Sequence, residues 1–165
     1  MHYQPPGGAS IPTVSPSLPP DPLEALADLE QVDQAVDYAA RVCRATVSEF
    51  LAAPADGDPT GDGGAAAIDV AVEFFVPPAE TAAFARELDR ALARRSLAYA
   101  AARRSGDAGP IRVTVIPPGT FHQWRSAWRV SPRAQHAHRW SADPRMLQGL
   151  IHQARTGWHD LSPTA

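Results

Sequence analysis

Apolar positions along this chain follow two rhythms. Val32, Val36, Ala39, Cys43 and Val47 recur in steps of three and four, one stripe of a helix. That spacing predicts a helix over residues 23–44, with a break near Asp28. Residues 47–53 read as a short strand. In Ile68-Asp69-Val70-Ala71-Val72-Glu73-Phe74 large apolar groups alternate with small or charged ones, the period of a half-buried strand, so Glu73 is expected on its solvated face. The residues between, 54–64, are mostly Asp, Gly and Pro and predict a loop closing an antiparallel hairpin. Pro77-Pro78 ends the second strand. Phe84, Leu88, Ala91 and Leu92 predict a helix over residues 80–95, resumed at 99–104 after a break at Ser96. Ile111, Val113 and Val115 predict a third strand over residues 111–116, with both valines buried. Gly119 and Thr120 should open a helix whose Phe121 packs inward, the Thr120 hydroxyl accepting from free backbone amides. Asp143 caps a last helix with Pro144 in its first turn. The order helix, strand, strand, helix, strand, helix, helix gives an α+β fold. It implies a small mixed, largely antiparallel sheet of about three to four strands packed on helices.

Composition divides the chain. Seven prolines mark residues 1–22 as a disordered tail. Residues 23–155 make the domain, and 156–165 a second tail. Nothing resembles a transmembrane run or a signal peptide, which points to the cytoplasm. The single Cys43 excludes an internal disulfide. Every one of the fifteen basic residues is arginine, so no step that needs an ammonium can come from these residues. Residues 1–96 carry six arginines against fifteen acids, whereas residues 97–165 carry nine against three. All four tryptophans and five of the six histidines lie in the second part. A basic, aromatic surface suits an anion or an acidic partner; arginines solvating the outer helix faces explain the same counts.

Residues 96–121 contain Ser96, Tyr99, Arg103 and Gly106, then the strand over 111–116, then Gly119-Thr120-Phe121. This ordered set resembles the carboxy-terminal domain of the Gretchen-Hagen-type acyl-acid amido synthetases, bacterial branch. Those enzymes adenylate a carboxylic acid and pass the acyl group to an amine. Their pattern Asn-x-x-Tyr-x-x-x-Arg-x-x-Gly is kept here except that Ser96 replaces the Asn. The family's later segment Gly-Gln-x-Lys-x-Pro-Arg meets Ala134-Gln135-His136-Ala137-His138-Arg139. Ala137 stands where the lysine would be, and the proline is absent. The resemblance implies Tyr99, Arg103, Gly119, Thr120, Phe121, Gln135 and His136 as binding residues. It leaves no catalytic residue, with His138 and Arg139 as the nearest candidates; neither reproduces a point ammonium at the same reach.

Other constellations are thinner. His136 and His138, two apart, would need His122, His152 or His159 to make a metal site, and none is expected. Ser126, Ser131 and Ser141 sit on no strained nucleophile turn. Glu73 and Glu80 form no catalytic pair. Trp124 and Trp128, four apart, are a helix face that packs or stacks; net negative charge argues against nucleic acid. No glycine-rich phosphate loop is present, since Gly61-Asp62-Gly63-Gly64 carries acids where a phosphate would sit.

The resulting expectation is an orphan carboxy-terminal domain that docks on a separately encoded adenylating domain. It has no cofactor of its own, and ATP or AMP only with that partner. The alternatives are a degenerate non-catalytic fragment and a stand-alone small-anion-binding α+β module. On the docking reading, at least one of Trp124, Trp128 and Trp140 should be exposed beside Arg125, Arg129 or Arg139.

Overall fold

The structure is a computed structural model describing residues 27–55, 67–127, 139, 141 and 143–156. The expected tail at 1–22 lies outside these residues, as do the expected 156–165 tail except Thr156, most of the 54–64 loop and positions 134–138. The element order is α1 (Leu29–Val42), β1 (Thr46–Pro54), β2 (Ile68–Val76), α2 (Thr81–Arg95), α3 (Leu97–Ser105), β3 (Arg112–Ile116), α4 (Thr120–Ala127) and α5 (Pro144–Thr156). The break expected near Asp28 is the start of α1. The Asp28 carboxylate accepts from the Gln31 amide at 2.7 Å while the Gln31 side chain accepts from the Asp28 amide at 3.4 Å, a reciprocal capping box. Ser96 both ends α2 and starts α3: its amide donates to Leu92 O at 2.8 Å, and its hydroxyl accepts from Tyr99 N at 3.1 Å.

The sheet has three strands in the order β1-β2-β3. β1 and β2 form the expected antiparallel hairpin, with register irregularities between Thr46 and Glu49. β3 runs parallel to β2, because α2 and α3 carry the chain back across the sheet before it re-enters. The fold is therefore α+β with a mixed sheet, one pair antiparallel and one parallel.

β2 is the middle strand, and this sets its chemistry. Ile68, Val70, Val72 and Phe74 face a core shared with Val32, Val36 and Ala39 of α1, Phe84, Leu88 and Leu92 of α2, and Tyr99 of α3. Phe74 meets Phe84 edge to face, with ring centroids 5.1 Å apart. On the opposite face Leu51, Ala53 and Ala71 pack under Ile116, Phe121 and Trp124, with Leu147, Leu150 and Ile151 of α5. Helices thus cover both faces of β2. The side expected to meet solvent is buried, and both of its acids, Asp69 and Glu73, go inside with it.

Two further expectations are corrected. Val113 is half-buried and Val115 is 46% exposed, because among the described residues β3 is an edge strand with no strand on its outer flank. Ile116, on the other face, is buried. Phe121 packs inward as expected.

Candidate functional site

The residues singled out in sequence fall into three places. The first is the joint between α2, α3 and the approach to β3. Tyr99 is fully buried, and its hydroxyl donates to Asp89 Oδ1 at 2.5 Å. The same carboxylate oxygen accepts from Ile111 N at 3.3 Å. Arg103 lies within 3.3 Å of it, donates to Asp89 Oδ2 at 3.4 Å, and also donates to Ala108 O at 3.0 Å. Gly106 closes α3 at φ +86°, a left-handed turn that glycine adopts without strain. Burial, then the bond to Asp89, pushes the Tyr99 hydroxyl far above its ordinary value. The spacing Ser96, Tyr99, Arg103, Gly106 therefore caps a helix, ties it to α2 and delivers the chain to β3. Asp89, the acid at the centre, carries no signal in sequence beyond its place one residue after Leu88 on the buried stripe.

The second place is the start of α4. Glu73, 7% exposed, reaches across from β2. Its Oε1 accepts from Gly119 N at 2.7 Å and its Oε2 from Phe121 N at 3.2 Å. These are amides that a helix N-terminus leaves without intrahelical partners. Thr120 does not accept, as had been expected; its hydroxyl donates to Pro117 O at 2.7 Å. Gly119 sits at φ +83°, so the turn that aims both amides at one carboxylate requires glycine there. Trp124, 3% exposed, lies in the core beneath this helix. Trp128 and Trp140 lie outside the described residues.

The third place is the outer edge of β1. Ala52 N donates to Arg139 O, and Ser141 N donates to Ala52 O, both at 2.9 Å. The end of the family-like segment is thereby fastened to the sheet. The Arg139 guanidinium pairs with Asp33 of α1 and lies 5.4 Å from the centre of the Phe50 ring. With Leu29 and Glu30 these groups line an open cleft of about 470 Å³. Two carboxylates face one guanidinium there, so the cleft itself does not favour an anion. Gln135, His136, Ala137 and His138, which precede Arg139, lie outside the described residues.

These places are separate. Tyr99 and Arg103 sit on the α1–α3 side of the sheet, while Gly119, Thr120 and Phe121 sit on the α4–α5 side. Among the described residues no group of three His, Cys, Asp or Glu could hold a metal ion. Ser126 donates to His122 O at 2.9 Å within α4, and Ser141 accepts from Asp143 N at 3.1 Å. Cys43 ends α1, half-buried; burial, then the Glu87 charge, pushes its thiol up, away from the thiolate form that reacts. Among the described residues no helix is long and apolar enough to cross a membrane.

The sequence matches the GH3 family C-terminal domain over residues 30–139. The chain belongs to that family. No curated protein matches it in sequence. Solved structures share the fold, two of them as follows. One is the GH3.15 acyl acid amido synthetase, at 14% identity and TM-score 0.58, covering 74% of this chain. The other is AtGH3.15 acyl acid amido synthetase in complex with 2,4-DB, at 13% identity and TM-score 0.58, covering 78%. The chain spans only 23% and 25% of those proteins' own lengths. The matched residues include the first two places and, of the third, Glu30, Asp33, Phe50, Ala52 and Arg139.

Proposed function

We propose that this GH3-type domain acts as the accessory part of an acyl-acid amido synthetase, docking on an adenylating domain that lies outside these 165 residues. The observation that carries the reading is the family match over residues 30–139. The nucleotide, ATP and then an acyl-AMP, is held by the adenylating domain, and this domain contacts it only in the complex. Exposed apolar groups at one end of the sheet support the docking. Phe75 is 82% exposed, beside Val76 on β2, and Val42 at the end of α1 is exposed as well. Apolar groups gathered at one end of a small domain suit a partner that covers them. On this reading the purified chain gives no acid-dependent exchange of pyrophosphate into ATP. Added to an adenylating domain that lacks its own carboxy-terminal domain, the chain raises amide formation, and Phe75→Asp removes that gain while the fold is kept. Exchange by the chain alone would overturn the reading, as would an adenylating domain indifferent to its presence.

A second reading, a folded but non-catalytic relative, is favoured by one feature: Ala137 stands where the family carries lysine. Alanine cannot neutralise charge on a reacting carboxylate or phosphate. Restoring lysine with Ala137→Lys separates the two, since only an accessory domain that reaches the reacting groups would gain rate from it. The small-anion module draws no support from the Arg103, Arg112, Arg125 and Arg139 side chains, because each already faces a carboxylate of this chain.

A further inference from the structure

We propose that two copies of this chain pair through β3, the strand Arg112–Ile116, to form a symmetric dimer with one continuous sheet. The sheet has two flanks and they are treated differently. The β1 flank is occupied by the hydrogen bonds of Arg139 and Ser141 to Ala52. The β3 flank has no strand beside it among the described residues. Edge strands are normally blunted by proline, lysine, a bulge or an inward-pointing charge. β3 itself holds no proline, no lysine and no bulge: its sequence is Arg-Val-Thr-Val-Ile, its register with β2 is unbroken, and Pro110 and Pro117 lie just outside it. Its one charge, Arg112, is already held by Asp69 through two bonds of 2.6 and 2.8 Å.

The sequence of the strand is complementary to itself when reversed. Around a two-fold axis at Thr114, an antiparallel partner places Val113 opposite the second copy's Val115, Thr114 opposite its own counterpart, and Arg112 opposite Ile116. Both valine pairs are β-branched, the kind that stabilises antiparallel neighbours. The arginine never faces itself. A parallel arrangement would stack arginine on arginine and could not close with two-fold symmetry. The antiparallel pairing covers Val115, which is 46% exposed, and gives the outward amides and carbonyls of β3 partners. It joins two three-stranded sheets into one of six strands.

Sedimentation equilibrium of the full chain over a range of concentrations tests this. The expected result is a monomer–dimer equilibrium. Val115→Arg should weaken it about tenfold or more in dissociation constant while circular dichroism and melting stay unchanged, since Val115 supports no core. Phe75→Arg, an exposed apolar site off the edge, should leave the dimer intact. Amide exchange at the alternate β3 amides that point away from β2 should slow in the wild-type chain as concentration rises. A chain that stays monomeric, or a dimer lost in Phe75→Arg and kept in Val115→Arg, overturns the proposal. A chain that stays monomeric leaves the docking reading standing, because that reading rests on the family match, whereas a dimer lost in Phe75→Arg would make a second copy the occupant of the Phe75 patch.

Discussion

Glu73 is the residue whose removal should be felt most directly. Its carboxylate is the cap of α4, held by two backbone amides, and it is buried between the central strand and that helix. Glu73→Ala leaves both amides without a partner inside the protein, and should cost about 2 kcal/mol. Glu73→Gln keeps one acceptor oxygen and should cost less. Urea unfolding of the two variants measures the order, and no loss in either would mean that the cap contributes nothing. Tyr99 makes a different prediction. Its hydroxyl is held neutral by burial and by Asp89, so its folded pKa is raised. A raised pKa of this kind stabilises the fold fully below the ordinary tyrosine value, about 10, and that stability is lost as pH rises above it. One of the chain's three tyrosines should therefore form phenolate only as the fold opens. Tyr99→Phe should lower stability by about 1 kcal/mol at neutral pH and remove this alkaline loss. A phenolate signal from all three tyrosines in the folded protein would sink the idea.

The elements show why some features are legible in sequence and others are not. Starts of helices that are capped locally, at Asp28, Ser96 and Asp143, stand out because the capping side chain sits within three residues of the amide it serves. The start of α4 is legible at Gly119 and Thr120, but its cap is not, because the capping carboxylate comes from 46 residues away. Alternation in β2 reveals the strand but cannot say that both faces are covered, and so Asp69 and Glu73 read as solvated when they are inside. Val115 fails for the converse reason: the alternation is correct, and the strand is an edge. The motif around Tyr99 is legible as a motif, but Asp89 at its centre is not. α4 carries the element-scale prediction. Phe121 and Trp124 pack with Leu147, Leu150 and Ile151 over the sheet, so Phe121→Ala should cost about 3–5 kcal/mol. Loss of heat-stable α4–α5 packing should accompany it, while the core under α1 and α2 keeps its amide protection.

At the scale of the whole molecule, the uneven charge of the sequence has an internal explanation. Four arginines of the second part face four acids of the first: Arg103 with Asp89, Arg112 with Asp69, Arg125 with Glu49, and Arg139 with Asp33. The two parts of the chain are each other's counter-ions. They also share a core, because Leu51, Ala53 and Ala71 from the first pack under Ile116, Phe121 and Leu150 from the second. Individually these ion pairs are partly solvated and contribute little to stability. Their sign pattern acts at longer range, on how fast the parts meet. Cutting the chain after Gly106, in the exposed turn that ends α3, makes this measurable. The first fragment then holds eight arginines against fifteen acids, and the second seven against three. Three of the four ion pairs cross the cut. Mixed at low salt, the fragments should reassemble into the native fold, and the association rate should fall steeply as ionic strength rises. The dissociation rate, governed by the shared apolar core, should change much less. An association rate indifferent to salt would mean that the opposed charges only solvate the surface.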